Sequence, residues 1–102
     1  MSETHYTLVR SSEFDGWLGR LRDARARQRI IDRLQRLRLG NFGDRKPIGG
    51  GVSELRLAFG PGYRIYYSVQ GDRIVLLLAG GTKGTQTRDI ERAKRLLKDW
   101  TP

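Results

Sequence analysis

Glu54-Leu55-Arg56-Leu57-Ala58-Phe59-Gly60-Pro61-Gly62-Tyr63-Arg64-Ile65-Tyr66-Tyr67-Ser68-Val69, followed by Gly71-Asp72 and then Ile74-Val75-Leu76-Leu77-Leu78-Ala79, is the stretch that decides the fold. Leu55, Leu57 and Phe59 recur with a period of two, which places them on one face of a strand and Glu54 and Arg56 on the other. Gly60-Pro61-Gly62 turns the chain into a second strand, where Tyr63, Ile65, Tyr67 and Val69 alternate with Arg64, Tyr66 and Ser68. Gly71-Asp72 is a short hairpin turn. The run after it is continuously apolar, the pattern of a central strand covered on both faces.

Upstream of this stretch the period is different. Residues 5–10 alternate with β-formers and read as a short first strand, ending at Ser11-Ser12, two candidate helix N-caps. Phe14, Trp17, Leu18 and Leu21 then recur at helical spacing, with Gly16 and Gly19 each costing about 1 kcal/mol against alanine. Asp23 either caps a second helix or lies in one kinked helix. Its apolar face is Ile30, Ile31, Leu34 and Leu37, and Gly40-Asn41-Phe42-Gly43 stops it. Lys46-Pro47 and the flexible Gly49-Gly50-Gly51 connect this half to the change of period. Downstream, the polar, glycine-rich residues 80–87 lead to a final helix, capped by Thr85 or Thr87, with the stripe Ile90, Ala93, Leu96, Leu97 and Trp100. The order β-α-α-β-β-β-α predicts a single α+β domain over residues 1–102, an antiparallel sheet with the helices packed on one face.

Composition bounds what such a domain can do. At 102 residues, with 37% apolar residues, it can bury one modest core. Without cysteine, disulfides, thiolate metal sites and cysteine nucleophiles are excluded, and the single histidine, His5, leaves little material for a histidine metal cluster or a Ser/His/Asp triad. No metal or cofactor is expected. No apolar run approaches the roughly 20 residues of a membrane span, and residues 1–5 lack the pattern of a signal peptide, so a cytoplasmic location is expected. The net charge is +9, and 16 of the 20 basic residues are arginine. Guanidinium forks grip phosphate or carboxylate in two places at once, so nucleic acid or an acidic protein is the expected partner.

Three of those basic residues are singled out by position. With a regular pleat, Arg56, Arg64 and Tyr66 share one open sheet surface, opposite Leu55, Leu57, Ile65 and Tyr67. That surface suits a phosphodiester: guanidinium stabilises charge developing on phosphoryl oxygens, and a ring stacks on an unpaired base. The same residues also fit a plain surface ladder in which Glu54 neutralises an arginine. Lys83, at the end of the last strand, supplies a further cation or a proton-transfer group. Residues 80–84 lack the spacing of a nucleotide-binding P-loop. On the second helix Arg25, Arg29, Arg33 and Arg36 line up on one side, either as a solvated face or as a docking surface for an acidic partner.

Gly51-Val52-Ser53-Glu54-Leu55-Arg56, Gly62-Tyr63-Arg64-Ile65-Tyr66-Tyr67, Leu77-Leu78-Ala79-Gly80-Gly81-Thr82-Lys83, Gln86 and Asp89-Ile90-Glu91-Arg92-Ala93 follow one another in a telling order and spacing. They resemble the RelE/ParE toxin superfamily, above all its HigB-like branch of addiction module killer proteins. With Phe14-Asp15-Gly16-Trp17-Leu18 and the helices that follow, the resemblance covers nearly the whole chain. It implies a small RelE-like domain and the toxin role in a type II toxin–antitoxin pair, with a helix-turn-helix antitoxin as partner. It further implies a metal-independent endoribonuclease acting on mRNA at the ribosome and so inhibiting translation. In that chemistry the ribose 2′-hydroxyl attacks the adjacent phosphate. By the same resemblance Arg64 faces the scissile phosphate, Arg56 helps bind RNA, and Lys83 falls near a basic residue at the end of the last strand.

The tail departs from that pattern. Active relatives carry a tyrosine, histidine or aspartate near the C-terminus that moves a proton, whereas this chain ends Leu97-Lys98-Asp99-Trp100-Thr101-Pro102. Tyr66, Lys83 or Asp99 would have to serve instead. Two other functions compete: a non-enzymatic inhibitor of DNA gyrase, as in the ParE branch, and a basic nucleic-acid-binding module. The antitoxin is expected on the arginine face of the second helix or in the apolar groove beside the last helix.

Overall fold

The computed structural model describes residues 5–100. Residues 1–4, on which the expectation of no leader mostly rests, and residues 101–102, the end of the expected domain, lie outside the described residues. The elements are β1 (Thr7–Arg10), α1 (Ser12–Arg20), α2 (Ala24–Arg38), β2 (Arg45–Gly49), β3 (Val52–Leu57), β4 (Tyr63–Gln70), β5 (Ile74–Thr82), a 3-10 turn (Lys83–Thr85) and α3 (Gln86–Lys98). They form an α+β domain around one five-stranded sheet of order β1-β5-β4-β3-β2.

Capping chemistry sets the helix boundaries. The Ser11 hydroxyl accepts from the Phe14 N–H at 3.0 Å and donates to the Leu78 carbonyl at 2.7 Å, so one side chain starts α1 and ties that start to β5. Asp23 accepts from the Arg25 and Ala26 N–H groups, which makes α1 and α2 two helices rather than one kinked helix. Gly40, with φ of 92°, follows the end of α2. At the start of α3, Thr85 makes no side-chain capping bond to the backbone of that helix, though its hydroxyl accepts from the Thr82 N–H before it. The same hydroxyl donates to the Asp89 carboxylate one turn on.

The sheet departs from the expected antiparallel set of hairpins in two ways. β1 pairs with β5 in parallel, because α1 and α2 carry the chain away before the other strands form. β2, read from the sequence as connection rather than strand, pairs antiparallel with β3. Its sequence, Arg-Lys-Pro-Ile-Gly, is polar and contains a proline, which only an edge strand tolerates. Gly49, Gly50 and Gly51, all at positive φ, make the turn that returns it to β3. The continuous apolar run of β5 does lie between two strands and is buried along nearly its whole length.

A third difference matters more for function: the helices do not share one face. Phe14, Leu18, Ala26, Ile30, Leu34 and Leu37 from α1 and α2 pack on Leu55, Leu57, Ile65, Tyr67, Val75 and Leu77. Side chains of this size contribute about 1.5–3 kcal/mol each when fully buried. On the opposite face α3, with Ile90, Ala93, Leu96 and Leu97, and Trp100 just beyond it cover Val52, Tyr66, Leu76, Leu78 and Ala79. A register shift between Tyr66 and Tyr67 gives β5 one extra residue, so Leu78 and Ala79 both serve this second core. Gly80 and Gly81 are small for a packing reason: a Cβ at Gly80 would fall inside the Trp17 ring, and one at Gly81 on the Asp89 carboxylate. Among the described residues no helix is long and apolar enough to cross a membrane.

Candidate functional site

Antiparallel pairing of β3 with β4 sets Arg56 directly across from Arg64, beside the turn at Gly60-Pro61-Gly62. Arg56 Nη2 donates to Asp44 Oδ1 at 3.0 Å, and its side chain is 37% exposed. Arg64 is more enclosed, at 12%. Its Nη1 donates to the carbonyls of Gly62 and Tyr63, and its Nε lies 3.9 Å from Glu54 Oε2. Nη2 has no protein acceptor among the described residues. Both arginines line an open depression of about 370 Å³, with Asp44, Phe59, Gly60 and Gly62.

Beneath Arg64 lies a carboxylate that the sequence reading treated as a simple neutraliser. Glu54 is 1% exposed and accepts from Gln86 Nε2, at the first position of α3, at 2.7 Å. Gln86 carries no periodic signal, since its partner is 32 residues away and is met only when α3 docks. Tyr66, expected on the open surface, is wholly buried under α3. Burial pushes its phenol well above the ordinary tyrosine range, with the Glu54 and Asp89 charges adding to the effect and Arg64 opposing it. It therefore neither stacks on a base nor titrates near neutrality, and its hydroxyl has no hydrogen-bond partner among the described residues.

Lys83 is exposed at the end of β5. Its Cβ lies close to Gly62 and so does Arg64 Nη1: a Cβ built on Gly62 would sit 3.2 Å from the first and 3.4 Å from the second. The lysine itself lines a neighbouring depression with Gln86 and Arg88. Of the four sequence-assigned RNA-facing or catalytic residues, Arg56 and Arg64 thus share one depression beside the β3–β4 turn, Lys83 is rooted next to it and lines the neighbouring one, and Tyr66 does not join them.

The four arginines of α2 also divide. Arg25, Arg29 and Arg36 are exposed, with the Arg29 guanidinium 4.8 Å from the centre of the Phe59 ring. Arg33 turns inward, donating to the carbonyls of Arg56 at 2.9 Å, Asp44 at 3.0 Å and Phe42 at 3.3 Å. Burial, and then Arg36, lower its pKa from the usual arginine value. It is a brace between α2 and β3, which removes it from the free arginine face expected from spacing. Among the described residues no group of three or more histidines and carboxylates could hold a metal ion.

Comparison with known proteins places this architecture. E. coli toxin RelE, in an arginine-to-alanine double mutant in the free state, is similar with a TM-score of 0.64 over 86% of this chain and 97% of that one, at 17% identity. That likeness is one of fold: the domain has the RelE fold that the sequence resemblance implied. An uncharacterized protein of Haemophilus influenzae is 46% identical over 86 residues, 84% of this chain and 87% of that protein. Residues 17–98 match the family described as Phage derived protein Gp49-like, from the second turn of α1 to the end of α3, and the chain belongs to that family.

Proposed function

We propose that this protein is the toxin of a type II toxin–antitoxin pair, of the HigB-like kind, and that it cleaves mRNA on the ribosome. The observation that carries the reading is the cross-strand pair of Arg56 and Arg64 at the end of the sheet, with Arg64 Nη2 left without a protein acceptor among the described residues. In this reading the ribose 2′-oxygen bonds to phosphorus and the bond from phosphorus to the 5′-oxygen breaks, leaving a 2′,3′-cyclic phosphate and a 5′-hydroxyl. Arg64 holds the charge that develops on the non-bridging oxygens, a role for which a donor already in place needs no reorganisation. Arg56 and Lys83 bind flanking phosphates.

Of the three proton-transfer candidates, Lys83 fits best. Tyr66 is buried, and Asp99 follows a 13-residue helix that begins beside Glu54, about 20 Å from the arginines at 1.5 Å per residue. The Lys83 ammonium protonates the departing 5′-oxygen, and solvent takes the 2′-hydroxyl proton. No metal enters this reading because the nearby carboxylates are committed, Asp44 to Arg56 and Glu54 to Gln86 and Arg64. A depression this open positions RNA poorly by itself, which is why the ribosome is the expected second half of the site. An acidic, helix-turn-helix antitoxin docks on the exposed arginines of α2, Arg25, Arg29 and Arg36.

One observation favours a second reading, the gyrase-type inhibitor: none of the described tyrosines is exposed. Mapping mRNA 5′ ends in a translating extract separates the two. Cuts inside codons that vanish with Arg64→Ala are expected. Intact mRNA alongside arrested growth would move the assignment to the inhibitor.

A further inference from the structure

We infer that Glu54 and Gln86 are positioning residues for Arg64, holding its Nε side by charge so that Nη2 is left for a phosphate. This rests on the proposed role of Arg64. A guanidinium is planar and rigid, so contacts to two of its nitrogens restrict where the third can lie. Nη1 donates to the Gly62 and Tyr63 carbonyls at 3.2 and 3.4 Å, while Nε, buried and without a hydrogen-bond partner among the described residues, faces the Glu54 carboxylate across 3.9 Å, an ion-pair contact that holds it by charge. Nη2 is then the nitrogen that remains for a phosphate.

The carboxylate is itself held. Glu54 is 1% exposed, and its Oε1 receives the Gln86 amide at 2.7 Å, leaving Oε2 for Arg64. Gln86 is fixed in turn at the start of α3, where the Thr85 hydroxyl donates to the buried Asp89. Glu54 lies one pleat inward from Arg56 and faces Tyr66 across the strands, so the wall around it is closed on that side too. A charge this enclosed costs desolvation and returns little stability of its own. Holding one arginine in one orientation accounts for its place.

The test uses the full chain and programmed ribosomes, reading the single-turnover cleavage rate at saturating toxin and the half-saturating concentration separately. Glu54→Gln removes the charge and keeps the shape. The double variant E54Q with Q86E restores the charge and the hydrogen bond but moves the carboxylate to the α3 side, away from Arg64. A second readout, exchange of the Arg64 Nε–H with solvent in 15N spectra assigned with Arg64→Lys, needs no cleavage.

The expected result for Glu54→Gln is a maximal rate lowered about 10–100-fold, the range a misplaced catalytic group costs. The half-saturating concentration should stay within about twofold and the Arg64 exchange should rise about tenfold. The double variant should fold with the wild-type Tm and remain slow. A double variant as fast as wild type would reduce the pair to a structural contact and overturn the inference, as would unchanged Arg64 exchange in Glu54→Gln. If Glu54→Gln does not fold, the double variant alone decides by the same rate criterion. Wild-type protein that never cleaves refutes the proposed function instead, and the exchange measurement still decides whether Glu54 holds Arg64.

Discussion

Replacing Arg33 with methionine tests whether α2 presents four of the proposed docking arginines or three and a brace. The substitution keeps the aliphatic stem and removes only the guanidinium. The bond to the Arg56 carbonyl is 2.9 Å and part-buried; that to Asp44 is 3.0 Å but exposed, and the Asp44 carbonyl also accepts the Arg56 N–H. The third, to Phe42, is long at 3.3 Å. At about 1 kcal/mol for a good bond and up to twice that from a charged donor, with water replacing the exposed one, the loss comes to roughly 2 kcal/mol. That corresponds to a fall in Tm of about 8 °C for a domain of this size. In urea unfolding the midpoint should drop by about 1 M. Arg25→Met and Arg36→Met, whose residues are exposed, should stay within about 0.5 kcal/mol of wild type in the same assay. If Arg33→Met matches them, the three carbonyl contacts hold nothing, and Arg33 returns to the docking face.

Tyr66→Phe should leave the proposed cleavage within about twofold and stability equal or higher by about 1 kcal/mol, because it deletes a buried hydroxyl that has no partner among the described residues; a large rate loss would restore Tyr66 to the chemistry. Since the folded phenol keeps its proton at pH values where an unfolded tyrosine, near 10, releases it, wild-type stability should fall as pH rises past about 10, and Tyr66→Phe should flatten that fall in denaturation curves taken across the range. Arg56→Gln should weaken binding of a single-stranded RNA and lower the slope of log K against log salt by about 0.7, with the folded state little changed; an unchanged slope would mean that Arg56 serves only Asp44. Gly81→Ala forces a methyl onto the Asp89 carboxylate and should cost about 1–3 kcal/mol by thermal unfolding, with the start of α3 loosening first in hydrogen exchange.

Much of the fold is legible in the sequence because most of it obeys local rules. The hairpin from Leu55 to Ala79 announces itself by alternation and by glycine turns, and both N-terminal helices by spacing and caps. β2 is hidden because an edge strand is allowed to be polar and to contain proline, which are the signs used to reject a strand. The parallel pairing of β1 leaves no local mark at all: it depends on where α2 returns the chain. Arg33 is hidden for a similar reason, since the four- and three-residue spacing that places it beside Arg29 and Arg36 says nothing about a loop folding over it from Phe42 to Asp44.

The site was half legible, and the boundary between the halves has a physical cause. Alternation assigns Glu54, Arg56, Arg64 and Tyr66 to one face of the hairpin, correctly, but it cannot say how far along that face a helix will lie. α3 begins at Gln86, over Glu54, and runs from there across Val52, Tyr66, Leu76 and Leu78. The Glu54–Tyr66 pair therefore falls inside, at 1% and 0% exposure, while the next pair on the same face, Arg56 and Arg64, stays at 37% and 12%. One step of the pleat separates core from site. The same edge explains why the tyrosine could not be the stacking ring and why a glutamate could become the arginine's buried partner: where a helix stops on a sheet, the last covered residue can hold the first uncovered one.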